Sequence, residues 1–426
     1  MAPHKPQIKS RSRRTYTPPP IAIMNIKSPK GMLDGKRQSV KRRHFKNRKG
    51  RELLPPLTPI TPTKLSIDRK DIRDRWIEIA KETRSIVLGD GQYVEERCIP
   101  IDAYALAQRI EGFSMKPLGQ VDSSSTVVAL SHDISEQIQH SCSRTTFYPH
   151  EFPIDWAAPS QYRPRSTRKA RIEFAHRSTL NVARRLTLHA PPSSSGVGIL
   201  SFASRKKPGG GYLHGGDEQE DRLARHSSLV ANLSSPAAKE FYAEHKRSWT
   251  QDGSGFHDRS MVYSPGVVVF RKDRDDREAT DPLGGTFISP YTVDVLSVVP
   301  VNAAVVRSRY ASASERESDL AVRNAMKDRM ARALCVFEEQ GNREIILGAF
   351  GCDSNENKLD IVADIWAELL VCGDMEGDGG SKREARFKHS FDTVVFAVPG
   401  KSFESFRVAF NNRLFEADLV KTLTSD

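Results

Sequence analysis

The 426-residue chain lacks a long hydrophobic run: its longest uncharged, mostly apolar stretch, Val295 to Val306, is interrupted by Pro300 and Asn302. That is far short of the ~20 residues a membrane-spanning helix needs, so no membrane partner is expected. The N-terminus has no apolar core followed by a small-residue cleavage site, and no secretory signal is expected. Cysteine is scarce. The five (Cys98, Cys142, Cys335, Cys352 and Cys372) are scattered and never form a C-x-x-C pair. Neither a disulfide framework nor a zinc site is suggested, no metal or cofactor is expected, and a reduced intracellular compartment fits best. A mean hydropathy of −0.51 and 38% hydrophobic residues leave room for one sizeable core but not for a chain folded end to end.

Acidic residues are nearly missing from the first 66 positions. That segment holds 17 Lys or Arg against Asp34 and Glu52, a net +15, which leaves −3 for the rest of a chain whose total is +12. The basicity therefore belongs to a tail, and a pI of 9.4 does not make the folded part a nucleic-acid-binding domain. Residues 1–66 show no apolar periodicity and are rich in Pro, Ser and Thr, so they are expected to be a disordered basic tail. Their cluster KRQSVKRRHFKNRKGR reads as a solvated charge run, a nuclear-import signal or a contact for a polyanion. A nuclear or nucleocytoplasmic location follows from the second reading.

Ile72, Trp76, Ile79, Ala80, Thr83 and Ile86 recur at spacings of three and four, which predicts a helix from about Asp68 to Val87, stopped by Gly89. Residues 67–165 are read as an accessory helical region and linker, with much of 122–168 as loop. From about Arg171 the texture alternates. ARIEFAH, GVGILSFAS, MVYSPGVVVF, TVDVLSVVPV, EIILGAF and DTVVFAV read as strands. Ser178 is placed to cap a helix through STLNVARRLTL. Val322, Met326, Met330, Leu334 and Phe337 line one helix, and IVADIWAELL makes another. Buried strands alternating with amphipathic helices imply an α/β domain over 166–426, a sheet with helices on both faces. Acidic or Gly-rich stretches near Asp273–Gly285 and Gly373–Arg383 read as surface insertions.

The segment from Lys207 to Leu229, KPGGGYLHGGDEQEDRLARHSSL, carries the chemistry. Gly209, Gly210 and Gly211 directly after a buried strand allow positive φ and close approach of a ligand to backbone. Their N–H groups can line a concavity suited to a diphosphate. Gln219, Glu220 and Asp221 follow near a helix start, placing paired carboxylates beside that cradle. A glycine turn followed by a solvated acidic cap is the plainer alternative.

This triple glycine, spacer and Gln-Glu-Asp resemble the triple glycine and Gln-Glu-Glu of the microbial-type poly(ADP-ribose) glycohydrolase catalytic domain. RWIEIAKETRSIVLGDGQY (Arg75–Tyr93), MVYSPGVVVFR (Met261–Arg271), VVPVNAAV with Asn302, LGAFGC (Leu347–Cys352) and VVFAV follow in that family's order, over roughly residues 70–120 and 170–415. The resemblance implies a divergent member with a macrodomain-like mixed sheet, N-terminal accessory helices and the tail. It implies hydrolysis of ribose–ribose bonds in poly(ADP-ribose), with poly(ADP-ribose) or an ADP-ribosylated protein as partner. In the family the second Glu of the triplet is the acid/base and the first helps hold the ribose, which assigns catalysis to Asp221 with Glu220 beside it. Substrate contacts are expected from Gly209, Gly210, Gly211, Gln219, Asn302, Gly351 and Phe396, the last stacking on adenine or filling the core.

The departures bear on activity. Asp221 is one methylene shorter than the family's Glu, and Ser201 and Lys207 stand where Asn is usual. The second phosphate loop, Gly351-Cys352-Asp353-Ser354-Asn355-Glu356-Asn357, replaces glycines with two acids. Weakened hydrolysis and a non-catalytic ADP-ribose-binding module are therefore both open, as is a platform role with nucleic acid bound by the tail.

Overall fold

The structure, a computed structural model, describes residues 68–424 except 108–114, 121–123, 155, 157–167, 190–195, 277–281 and 375–383. The expectations placed on 1–66, and parts of the two expected insertions, lie outside the described residues.

Ten strands are described: β1 (Gln92–Pro100), β2 (Met115–Gln120), β3 (Ser125–Asp133), β4 (Thr146–Tyr148), β5 (Arg171–Ala175), β6 (Gly198–Phe202), β7 (Met261–Arg271), β8 (Phe287–Val298), β9 (Glu344–Leu347) and β10 (Thr393–Ala397). Seven form one mixed sheet in the order β4-β7-β8-β6-β9-β10-β5. β4, β7 and β8 pair antiparallel, whereas β8, β6, β9, β10 and β5 run parallel.

Successive side chains of a strand point to opposite faces, and here both faces are covered. Leu200, Leu296, Ile345 and Val394 pack on one side with Met330, Leu334, Trp366 and Phe406. Their chain neighbours Ile199, Val295, Ile346 and Val395 pack on the other with Leu180, Leu186, Leu223 and Phe241. The domain is thus the expected mixed sheet between helical layers. MVYSPGVVVF is one continuous strand, β7. The Pro265-Gly266 step is absorbed as a register shift between Ser264 and Val267, because Pro lacks the N–H a ladder needs.

The helix Arg69–Leu88 matches its expectation, with Asp68 accepting from Lys70 N–H at its start and Gly89 after its end. Two expectations are refined. The described part of 122–168 contains β3, the helix Ser135–Ser143 and β4 beside its loops. The accessory region is not only helical, because β1, β3 and β2 form a separate antiparallel sheet. Its short strands are half-exposed, so their apolar alternation is weak in sequence. Asp273, expected on a surface insertion, is 4% exposed and faces Arg222.

The parallel arrangement sends the chain out of β8, β6, β9 and β10 at one edge of the sheet. Loops 203–216, 299–302, 348–358 and 398–401 converge there, at the carboxyl ends of the strands where open α/β sheets hold ligands. Among the described residues no helix is long and apolar enough to cross a membrane.

Candidate active site

The glycine loop turns twice through the left-handed region immediately after β6. Gly209 has φ +70 and Gly210 +58, conformations a side chain disfavours. A Cβ at Gly210 would also lie 2.6 Å from the Asp221 carboxylate and 3.1 Å from that of Glu220. The loop therefore closes directly over both acids, and this contact requires the glycine.

The helix Gln219–His226 supplies those acids. Gln219 works as a staple: its Oε1 accepts from Phe202 N–H at 2.9 Å and its Nε2 donates to Leu200 O at 2.9 Å. β6 pairs with β9 only at Gly198 and Ile199, and the amide completes the ladder beyond that point. Nε2 also donates to Thr179 Oγ1 at 3.3 Å, so the amide is engaged by the protein on both sides.

Glu220 and Asp221 are both buried, at 2% and 4% exposure, but they are held differently. Asp221 is saturated: Oδ1 accepts from Gly211 N–H at 2.6 Å and Oδ2 from Glu218 N–H at 3.1 Å. Burial raises its carboxyl, and those two N–H groups and Arg225 pull it back. Glu220 accepts from Ser204 N–H at 2.7 Å through Oε2, while its buried Oε1 has no protein partner. Burial pushes this carboxyl up to about 8, with the Asp221 charge adding to the rise against the Ser204 and Gly209 N–H groups. At neutral pH Glu220 keeps its proton and holds one unengaged oxygen.

The carboxylates lie at one side of a cleft of about 490 Å³ lined by Gly210, Gly211, Asn302, Gly351 and Asp353, among others. A smaller pocket of about 150 Å³ adjoins it, lined by Leu180, Gln219, Ala397, Val398 and Pro399. Phe202, Glu218, Ala349, Cys352 and Asp353 border both. The structure thus brings together seven of the expected site residues: Gly210, Gly211, Glu220, Asp221, Asn302 and Gly351 at the cleft, and Gln219 at the pocket.

Gly209 lines neither space. Its Cβ position would meet Ala224 and Tyr212, so it serves loop packing. Asn302 caps the helix Ala303–Arg309, accepting from Val305 N–H at 3.0 Å, and still reaches the cleft. Phe396 is corrected. It is fully buried, stacked on Phe174 with ring centroids 5.4 Å apart and packed against Trp366, Phe406 and Phe410. On β10 it points into the sheet face covered by the C-terminal helix, so no ring is presented to a ligand. The pocket is instead reached by the residues just beyond that strand, Val398 and Pro399, which sequence reasoning missed although a strand end was the right place to look.

Two further features shape the second loop. Glu356 occupies the left-handed region at φ +52, the conformation that the glycine usual there in the family would take freely. Asn357 holds the loop by donating to Val301 O at 2.8 Å and Gly351 O at 3.0 Å. Asp353 stands at the rim shared by both spaces, and its charge is among the causes that raise the Glu218 carboxyl, after burial. Cys352 is kept protonated, because burial pushes its thiol up to about 12.

The helix Arg69–Leu88 braces the loop from behind. Arg73 Nε donates to His214 O at 2.8 Å, and Thr83 Oγ1 to Arg225 O at 2.7 Å. Arg225 Nη1 donates to Gly216 O at 2.8 Å and its guanidinium lies over Trp76 at 4.8 Å. Tyr212 is buried against Ala80, Ala224 and Val230. Tyr212 and Arg225 thus hold the loop together.

A buried carboxyl with a raised pKa, beside a glycine loop at the carboxyl edge of a mixed sheet, is what comparison with known proteins must explain. Residues 122–272 match the catalytic domain of microbial-type poly(ADP-ribose) glycohydrolase (PARG). The chain is similar to the microbial-type PARG catalytic domain in sequence over those residues, and to solved PARG structures in fold over most of its length. The PARG from Thermomonospora curvata is similar over 80% of this chain and 99% of its own, at 28% identity and a TM-score of 0.55. The same enzyme bound to the inhibitor ADP-HPD gives 28% identity over the same shares, with a TM-score of 0.54. The PARG from Deinococcus radiodurans in complex with ADP-ribose is similar over 65% of this chain and 96% of its own, at 28% identity and a TM-score of 0.51. No curated protein sequence matches the chain. The PARG match begins at residue 122 and therefore includes 122–168, which the sequence reading had left outside its resemblance.

Proposed function

We propose that this chain hydrolyses the ribose–ribose glycosidic bonds of poly(ADP-ribose), with Glu220 as the proton donor. The observation that carries this reading is the contrast between the two acids: Glu220 has a free oxygen and a pKa raised to about 8, whereas both oxygens of Asp221 are taken by backbone N–H groups. Cleavage of such a bond passes through an oxocarbenium-like transition state and needs a protonated carboxylic acid. Glu220 gives its proton to the departing ribose oxygen as the C–O bond breaks. Its carboxylate then takes a proton from the water that adds to the anomeric carbon, which restores the acid.

The pocket beside Leu180 and Val398, with apolar surface for a ring and polar groups such as Thr179 and Ser402 at its wall, suits the adenine, and the loop amides suit the diphosphate. Asp221 orients the loop and, through its charge, helps keep Glu220 protonated. Asp353 opposes the diphosphate, so the rate and affinity are lower than with the family's glycine. The basic tail is proposed to direct nuclear import and to add a polyanion contact.

Polymer digestion followed on a sequencing gel, together with calorimetry for ADP-ribose, tests the reading. Wild type should release product and Glu220→Gln should not, with ADP-ribose affinity retained in both. ADP-ribose binding without product from wild type would make the domain a non-catalytic reader, an outcome that Asp353 and the constrained Asp221 favour. Wild type that neither binds nor cleaves would remove the proposal.

A further inference from the structure

The larger cleft must receive a diphosphate, yet Glu218, Glu220, Asp221 and Asp353 all line it. Asp353, on the loop after β9, brings a charge of the wrong sign to that ligand. The cations of the same cleft are Arg205, Lys206 and Lys207. Both lysines are exposed, where solvent and salt screen their charge. His257 also lines the cleft, but burial, Arg329 and Arg205 lower it to about 3, so it is neutral. Arg205 is left as the half-buried cation.

Arg205 is held at its backbone and at its head. It follows Ser204, whose N–H donates to Glu220 at 2.7 Å, and it precedes the glycine turn, where Gly210 N–H donates to Lys207 O at 3.2 Å. Its guanidinium lies 3.7 Å over the ring of Trp249. That ring belongs to the helix Pro236–Gln251, which is anchored in the core by Phe241. Stacking covers one face of the guanidinium plane and leaves N–H donors at its edge. Among the described residues no carboxylate pairs with those donors, and burial lowers the guanidinium with no acid offsetting it. Charged side chains leave water mostly when an opposite charge meets them, and a planar fork matches two phosphate oxygens.

Arg205 follows β6 and Asp353 follows β9, and these two strands are neighbours in the sheet. A diphosphate resting on the Gly210–Gly211 turn and Gly351 therefore has a cation on one loop and an anion on the other. We infer that Arg205, stacked on Trp249, binds the diphosphate of the ADP-ribose unit in the cleft and partly offsets the charge of Asp353. The inference rests on the placement of ADP-ribose under the proposed function, not on hydrolysis. It explains how a second loop that carries an acid still accepts an anionic ligand.

Calorimetry on the full chain with ADP-ribose, and with adenosine, which lacks the phosphates, tests this. Arg205→Gln should weaken ADP-ribose about tenfold or more, as expected for lost hydrogen bonds to a charged group, and leave adenosine within about twofold. Arg205→Lys keeps the charge but gives up the fork and the stack, so its ADP-ribose affinity should fall between those of Arg205→Gln and wild type. A loop disturbed only by losing the stack on Trp249 would weaken both variants alike. Adding Asp353→Asn to Arg205→Gln should recover part of the loss. An ADP-ribose Kd unchanged by Arg205→Gln overturns the inference, as do equal weakening of the two ligands or equal losses in the two variants. If wild type binds ADP-ribose but releases no product from polymer, hydrolysis falls and the Arg205 contact stands on its own Kd values. If wild type does not bind ADP-ribose, both fall.

Discussion

The carboxylate of Asp221 accepts a 2.6 Å hydrogen bond from the backbone N–H of Gly211, ten residues earlier in the chain. With the second oxygen on Glu218 N–H, this acid serves as the clasp of the glycine loop. Asp221→Asn would turn an amide N–H₂ towards one of two backbone donors, leaving a buried N–H unpaired. The expected cost is about 1–3 kcal/mol, read as a lower melting temperature together with weaker ADP-ribose binding. Glu220→Gln should melt like wild type, since a Gln can place its oxygen on Ser204 N–H and its amide nitrogen on the unengaged side. Equal stability of the two variants would mean that Asp221 does not hold the loop.

The pH profile of hydrolysis should report Glu220. Its carboxyl must be protonated to donate, and burial raises it to about 8. kcat/KM should therefore hold through neutral pH and fall as the pH rises through about 8. A rate that falls instead above the ordinary carboxylate range, well below neutrality, would assign the proton to another group.

Asp353→Asn should tighten ADP-ribose binding. Removing one charge at the rim relieves a repulsion of roughly 1 kcal/mol against a diphosphate, or about fivefold in Kd. Because a surface charge is screened, the gain should shrink at high salt. Calorimetry at two ionic strengths checks both statements, and an unchanged Kd would place the diphosphate away from Asp353.

Phe396→Ala should cost about 3–5 kcal/mol of folding stability, as expected for emptying a packed aromatic site. ADP-ribose affinity of the folded variant should stay close to that of wild type, because the ring lies inside the core rather than at the pocket. Loss of affinity with little loss of stability would return Phe396 to the adenine site.

Acid lability should trace in part to His245. It is 1% exposed, both ring nitrogens lack protein partners, and burial lowers its pKa from 6.5 to about 3. His257 is lowered to about 3 as well, by burial and by Arg329, Arg205 and His245. Between pH 6.5 and 5 the unfolded chain takes up these protons and the folded one does not, so stability falls as the pH drops. His245→Phe should reduce the dependence of unfolding free energy on pH in that window by roughly one proton. An unchanged slope would show that His245 is protonated in the fold.

Local sequence was enough to reveal the parallel strands and their helices, because residues buried on both faces leave continuous apolar runs such as GVGILSFAS and TVDVLSVVPV. It also located the glycine loop, since positive φ at Gly209 and Gly210 requires a residue without Cβ. The small antiparallel sheet around β3 left little trace, because strands that are only half-covered carry a weak pattern. The site's chemistry depended on tertiary structure. Adjacent acids in a sequence are equivalent until the fold assigns their partners, and here the loop closes on Asp221 and leaves an oxygen of Glu220 free. In sequence Phe396 is open to either a ligand contact or a place in the core. Only its place on β10, under the C-terminal helix, sends Phe396 into the core, while Val398, just past the strand's end, packs there and also reaches the pocket. Arg205 and His257 are 52 residues apart in the chain, and no local pattern joins them. They meet because the chain leaves β6 and approaches β7 at the same edge of the sheet.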